Sequence, residues 1–313
     1  MRAAQYDKYG PPEVLHEGTA EKPVAGEGDV LVKVHGSSVN VVELRVRAGA
    51  LRIATGFGFP KGIGLDFAGE VEAVGDGVAE FAAGDRVWGF LPGLPHGRSA
   101  AAAEYLVTRA SHLSKAPKGD LVELAALPLV GETALLALRE HGHLKAGDRL
   151  LVRGASGGVG TVAVQLGKAM GAHVTALVGA KNLQFIRDLG ADAALDYRTH
   201  DANQLGTFDL ILDLNGSRLS TYRRRLTRHG RMVTTSASAI PYILFSTIFG
   251  PKRVRAFSAA PRAQLLADLA GYVESGSLKP IVDSVHPLAK IADAHRSLEK
   301  GDGRGKRVVR VLP

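Results

Sequence analysis

The chain has 313 residues, 45% of them hydrophobic and 22% charged, enough for two domains with cores of their own. It contains no cysteine, which excludes disulfides, thiolate zinc sites and cysteine nucleophiles together. The net charge of +8 raises nucleic acid as a partner, but no aromatic-interleaved basic strip or finger spacing accompanies it, and no run reaches the ~18 apolar residues of a membrane span.

Residues 1–6 open directly on a strand pattern rather than a signal peptide, which predicts a cytoplasmic protein. Residues 1–120 read as β-rich. Segments 29–36 and 69–75 alternate with period two, and Gly26, Gly28, Gly75, Gly77, Gly84 and Gly93 punctuate the stretch as turns. Residues 47–60 and 91–98 show no period, and long loops of this kind often border a functional site.

The pattern changes at Leu121. Residues 121–128 predict one helix and 131–138 a second, ending near Gly142. His141 and His143 near that end are read as cap or surface histidines, not metal ligands. The apolar run 150–152 then leads through Arg153 into Gly154-Ala155-Ser156-Gly157-Gly158-Val159-Gly160, and residues 161–170 predict a helix. Strand, glycine turn and helix follow in the order of a dinucleotide-binding unit, with the spacing A-x-G-x-x-G because Ala155 stands at the first glycine position. Backbone N–H groups in such a turn can approach a pyrophosphate closely.

A second strand is predicted over 173–178. An NAD-selective fold has a carboxylate ~20 residues past the glycines, on the ribose 2′-hydroxyl. Here Gly179-Ala180-Lys181-Asn182 offers no acid and one cation, which favours a 2′-phosphate and hence NADP(H).

Helix 182–189, a strand ending at Asp196-Tyr197, strand 208–213, helix 219–227 and strand 231–235 continue an alternation that argues for a doubly wound parallel sheet. Arg223, Arg224, Arg225 and Arg228 read as one solvated helix face. The apolar run 240–249 is too short for a membrane span. Helix 263–275, strand 282–285, helix 288–298 and strand 306–311 close the chain.

These segments, taken in order, resemble the medium-chain dehydrogenase/reductase superfamily. More narrowly, the chain is similar to the zinc-free quinone oxidoreductase (zeta-crystallin-like) branch. Ser38-Val39-Asn40-Val41-Val42-Glu43 carries the resemblance, with Gly64-Leu65-Asp66-Phe67-Ala68-Gly69-Glu70-Val71, Gly84-Asp85-Arg86-Val87-Trp88-Gly89 and Leu127-Pro128. Gly131-Glu132-Thr133-Ala134, the glycine turn, Asp188-Leu189-Gly190-Ala191-Asp192 and Gly303-Arg304-Gly305-Lys306 continue it.

The resemblance implies an α/β fold, with a Rossmann doubly wound parallel sheet and a β-rich GroES-like catalytic domain built from both chain ends. Residues 1–120 and 260–313 would form the latter and residues 121–259 the Rossmann domain. Zinc enzymes of the superfamily carry a Cys where Asn40 stands and a His where Leu65 stands, so no metal ligand is expected. Ser156, Gly157, Gly158 and Val159 would hold the pyrophosphate of NADP(H), with Lys181 and Tyr197 at the 2′-phosphate. Thr133 would lie near the nicotinamide and Asn40 near the substrate. The implied reaction is hydride transfer from NADPH to a quinone or an α,β-unsaturated carbonyl, with no catalytic side chain beyond the cofactor.

Relatives often have a tyrosine proton donor where this chain has Ala50-Leu51, which lowers the expectation of enoyl-thioester reduction. Glu43, Arg47 and His96 are the polar candidates left. The last Rossmann strand, at 253–258, would pair in a homodimer. Two alternatives stay open: an NADPH-binding sensor or RNA-binding module with little turnover, and a zinc-free secondary alcohol dehydrogenase.

Overall fold

The computed structural model describes residues 1–93, 100–236, 242–243, 246 and 254–312. Two compact units divide them, one comprising Met1–Leu129, Ala260–Ser275 and Pro280–Pro313, the other Val130–Ala259 and Gly276–Lys279.

The first unit begins with β1 (Arg2–Tyr6), β2 (Leu15–Thr19) and β3 (Asp29–Ser38), then α1 (Val41–Arg47), α2 (Arg52–Thr55), β4 (Lys61–Gly62) and β5 (Asp66–Val74). It continues through β6 (Arg86–Phe90), β7 (Tyr105–Arg109), β8 (Leu113–Lys115) and α3 (Leu121–Leu124). Alternation in β3 buries Val30, Val32 and Val34, which pack with Phe67, Leu106 and Leu113 in one apolar core. Residues 47–60, read as aperiodic, contain α2 and are pinned from beneath. The Tyr9 hydroxyl meets Thr55 Oγ1 at 3.0 Å and donates to the Gly56 carbonyl, while Lys61 Nζ donates to the Thr55 carbonyl at 2.8 Å.

The predicted helix 121–128 breaks in two. Asp120 caps the short α3 by accepting from Val122 N at 2.8 Å. Pro128, which lacks an N–H, opens α4 (Pro128–Leu135), as proline does in a first helical turn. A π-helical stretch, Leu136–His141, follows and seats the His141 ring 4.5 Å from that of Phe257.

The second unit is a six-stranded parallel sheet of order β11-β10-β9-β12-β13-β14. Its elements are β9 (Arg149–Arg153), α5 (Gly158–Ala169), β10 (His173–Val178), α6 (Leu183–Asp188) and β11 (Ala193–Asp196). Then come β12 (Phe208–Asp213), α7 (Leu219–Arg223), β13 (Leu226–Thr234) and β14 (Val254–Ala256). α5 starts earlier than its sequence predicts, at Gly158, because the glycines themselves form its first turn.

α7 ends at Arg223, short of the predicted 227, because Leu226 is buried and pairs with Phe208 as the start of β13. The arginine cluster is therefore not a helix face: Arg228 lies on β13, and Arg225 donates to the Leu205 carbonyl at 3.4 Å. Most of the run 240–249 lies outside the described residues, as do His96 and Arg253; Tyr242 and Ile243 pack against the core of this unit.

The chain returns to the first unit with α8 (Ala263–Glu274), β15 (Val282–Pro287), α9 (Ile291–Glu299) and β16 (Lys306–Arg310). β16 completes a seven-stranded sheet by pairing antiparallel with β3 and parallel with β15. Among the described residues, no helix is long and apolar enough to cross a membrane.

Candidate functional site

Two groups of candidate residues stand out, one in each unit. In the first, Asn40 occupies the N-cap position of α1, yet its side chain does not cap the helix. It enters a buried polar knot instead. Its Nδ2 donates to Glu43 Oε1 and to Asp66 Oδ2, both at 2.8 Å, and its Oδ1 accepts from Lys306 Nζ at 2.6 Å. Asp66 Oδ2 also accepts from Ser38 Oγ at 2.6 Å and lies 3.3 Å from Lys306 Nζ, while Oδ1 accepts from Leu129 N at 2.7 Å. Lys306 Nζ further donates to the Val39 carbonyl at 3.0 Å. The ammonium thus meets three oxygens, and both amide hydrogens of Asn40 are engaged. That fixes the amide in one orientation.

Glu43 is 1% exposed, and burial pushes its carboxyl up to about 8, against the opposing pull of the Asn40 hydrogen bond and the Lys306 charge. Arg47, one turn further along α1, is as deeply buried. It donates to the Gly10 carbonyl at 3.1 Å and to Glu299, and meets His295 Nδ1 at 3.3 Å. Burial, aided by the Arg47 charge, drives the His295 imidazole down to about 3, so it is neutral across the physiological range.

In the second unit the predicted glycine turn lies between β9 and α5, at the carboxyl ends of the parallel strands. A Cβ on Gly160 would fall 2.3 Å from the Gly154 carbonyl oxygen, so only glycine fits there. Gly157 is the N-cap of α5, exposed, and a Cβ there would meet nothing nearer than 3.7 Å. Ser156, Gly158 and Val159 are half-buried around it. This open glycine-lined cradle before the 12-residue α5 fits a diphosphate, whose oxygens take backbone N–H groups.

Lys181 is exposed just past β10, and Tyr197 is 52% exposed just past β11. A Cβ built on Gly179 would stand 3.6 Å from the Tyr197 ring, and Tyr197 N donates to the Val178 carbonyl at 3.1 Å. The two residues assigned to the 2′-phosphate therefore flank the end of β10. Thr133 is 9% exposed on α4.

Asp66 and Lys306 were not assigned a role from sequence, although both sit in segments that carry the family resemblance. Their meeting joins residues 240 positions apart, and no local pattern encodes it. Arg153 and Asp213 were missed for the same reason.

The zinc-enzyme positions Asn40 and Leu65 do not suit a metal. One presents N–H donors to two carboxyl groups, the other is a buried hydrocarbon, and an ammonium already lies against the first. Among the described residues, no group of three His, Cys, Asp or Glu could hold a metal ion.

The alcohol dehydrogenase GroES-like domain family matches residues 26–118, and the zinc-binding dehydrogenase family matches residues 189–309. A chloroplast envelope quinone oxidoreductase homolog of Arabidopsis thaliana is 34% identical, over 99% of this chain and 98% of its own. A human mitochondrial NAD(P)H oxidoreductase is 30% identical, over 100% of this chain and 89% of its own. Among solved structures, the quinone oxidoreductase of Coxiella burnetii superimposes with a TM-score of 0.91 at 29% identity, covering 100% of this chain and 99% of its own. End-to-end similarity of sequence and fold makes this chain a member of the medium-chain dehydrogenase/reductase family of oxidoreductases, related to its quinone oxidoreductases.

Proposed function

We propose that this protein is an NADPH-dependent, zinc-independent reductase that passes a hydride to a quinone or an α,β-unsaturated carbonyl. The observation that carries the reading is at the end of β10. Residues 179–182 hold no carboxylate, and Lys181 and Tyr197 stand just past β10 and β11, where a ribose 2′-phosphate would be met. Names of the relatives support the coarser part, since they are quinone and NAD(P)H oxidoreductases.

Bound NADPH supplies the hydride. The chain supplies binding and orientation. Ser156, Gly157, Gly158 and Val159 take the pyrophosphate, the Lys181 ammonium and the Tyr197 hydroxyl border the 2′-phosphate, and Thr133 borders the nicotinamide. Asn40, fixed from three sides, borders the substrate. The donor set supports zinc independence: Leu65 offers no ligand atom, the one oxygen of Asn40 is taken by Lys306, and the Lys306 ammonium would repel a cation. The same reading makes the protein a cytoplasmic homodimer acting on a small molecule. Support for the dimer comes from β14, which is the edge of its sheet among the described residues, with Arg255 and Ala256 exposed.

Initial rates with NADPH and NADH, measured over a panel of 1,4-quinones and α,β-unsaturated ketones in the presence of a chelator, test the reading. NADPH should be the faster donor, and Lys181→Ala should erase the preference. No NADPH oxidation with either substrate class, or an unchanged cofactor ratio in the variant, would overturn it.

A further inference from the structure

The central strands of the second unit, β9 and β12, end on a pair of opposite charges. Arg153 and Asp213 are register partners, 6% and 0% exposed, and the guanidinium donates to Asp213 Oδ1. Asp213 is also in register with Thr234 at the end of β13. Its Oδ2 accepts from Thr234 Oγ1 at 3.1 Å and from Gly216 N at 2.8 Å. Arg153, Asp213 and Thr234 thus form a row across three strand ends.

The same arginine grips the turn that follows β12. Its guanidinium lies 3.6 Å over the Tyr222 ring, and its Nη2 reaches Ser217 Oγ at 3.4 Å. Its carbonyl accepts from Leu214 N at 3.2 Å, and a Cβ on Gly154, the next residue, would stand 3.4 Å from Leu214 Cβ. Residues 214–217 are therefore tied to Arg153, the residue before the glycine turn, by backbone and side-chain hydrogen bonds, while stacking on Tyr222 packs the same guanidinium against α7.

Sheet order gives this tie its meaning. From β9 the chain steps outward to β10 and β11 on one side, then returns to β12, β13 and β14 on the other. An open parallel sheet binds its ligand at such a reversal, outside the strand carboxyl ends, one half of a dinucleotide to each side. Lys181 and Tyr197 stand on the β10–β11 side. The Arg153 row stands on the other.

We propose that Arg153 is a positioning residue for the nicotinamide-mononucleotide half of the cofactor, acting through the turn at residues 214–217. The assignment rests on the proposed function above, in that a dinucleotide must occupy this crest. Arg153 does not read the 2′-phosphate, so its loss should weaken NADPH and NADH alike. A buried pair of this kind adds little net stability over apolar packing, so its placement at the crest points to position rather than to fold strength.

Dissociation constants for NADPH, NADH and 2′,5′-ADP (the adenosine half alone) test the assignment, with Km and kcat for the cofactor. Arg153→Met should weaken NADPH and NADH by one common factor of about tenfold, the order that a charge-assisted hydrogen bond carries. Affinity for 2′,5′-ADP should stay unchanged, and Km should rise while kcat at saturation holds. Arg153→Lys, which keeps the charge, should recover part of the loss. Lys181→Ala should give the converse, weakening 2′,5′-ADP and NADPH but not NADH. Tyr222→Leu keeps the ion pair and removes the stacking; it should weaken NADPH less, in the same direction, and carries the test alone if Arg153→Met does not fold. Equal loss of 2′,5′-ADP and NADPH in Arg153→Met, or unchanged NADPH affinity in the folded variants, would overturn this assignment and leave the proposed function standing. A wild-type protein that binds neither dinucleotide would overturn both.

Discussion

Lys306 on β16 donates to the side-chain oxygen of Asn40 at 2.6 Å, across 266 positions of chain. That bond, with the 3.3 Å approach of the same ammonium to Asp66, joins the last strand of the first unit to the start of α1 through three buried side chains. Lys306→Met keeps the length of the side chain but leaves the Asp66 carboxylate buried beside one fewer cation. Breaking a buried pair this way costs about 3–5 kcal/mol. Urea unfolding should register a loss of that order, and a midpoint within error of wild type would contradict the role given to the knot.

Two buried groups in the same unit pull the pH dependence of stability in opposite directions. Glu43 is raised to about 8, so above the unfolded value of about 4.3 the folded chain holds a proton that the unfolded chain has lost. Its contribution is full at low pH and is lost as pH rises towards 8. His295 is lowered to about 3, so its contribution is present above about 6.5 and is lost as pH falls. His112 and His286 are shifted down by burial and act in the same direction as His295. An unfolded imidazole is still half protonated at about pH 6.5, so the histidine contributions level off only about one pH unit higher, and beyond that Glu43 dominates with a slope of at most about 1.4 kcal/mol per pH unit. Stability should therefore fall between about pH 7.5 and 8.5, and Glu43→Gln should flatten that fall. A variant whose urea midpoints keep the wild-type slope in this window would count against a protonated Glu43.

The two glycines of the turn should separate fold from binding. At Gly160 a Cβ would come 2.3 Å from the Gly154 oxygen and 2.6 Å from Ala155 Cα, both backbone atoms that cannot swing aside. Gly160→Ala should cost about 1–3 kcal/mol, as overpacking does. At Gly157 the nearest atom is 3.7 Å away and the backbone is extended, so alanine fits the fold. There the added methyl group stands in the cradle instead. Gly157→Ala should leave the melting temperature unchanged while weakening NADPH, as read by titration of nicotinamide fluorescence. Equal effects of the two substitutions on both measurements would refute the distinction.

Most of the architecture was legible because its signals are local. Period-two alternation marked β3 and β5, glycine spacing marked the turn before α5, and strand 208–213 matched β12. Failures came where a distant partner overruled a local pattern. Residues 224–227 continue a helical reading until Leu226 finds Phe208 across the sheet. The segment 121–128 divides because Pro128 begins the next helix, a choice that periodicity cannot register.

Sequence by itself determined the β-rich ends, the alternating middle, the glycine-only bend and the lack of an acid after β10, since each depends on residues a few positions apart. Tertiary structure alone decided what Asn40 touches, that Glu43 keeps a proton, and that Arg153 meets Asp213 and holds the turn beyond it. Charges buried far apart in the chain find one another only when the strands that carry them align, and burial, not spacing, then sets their protonation.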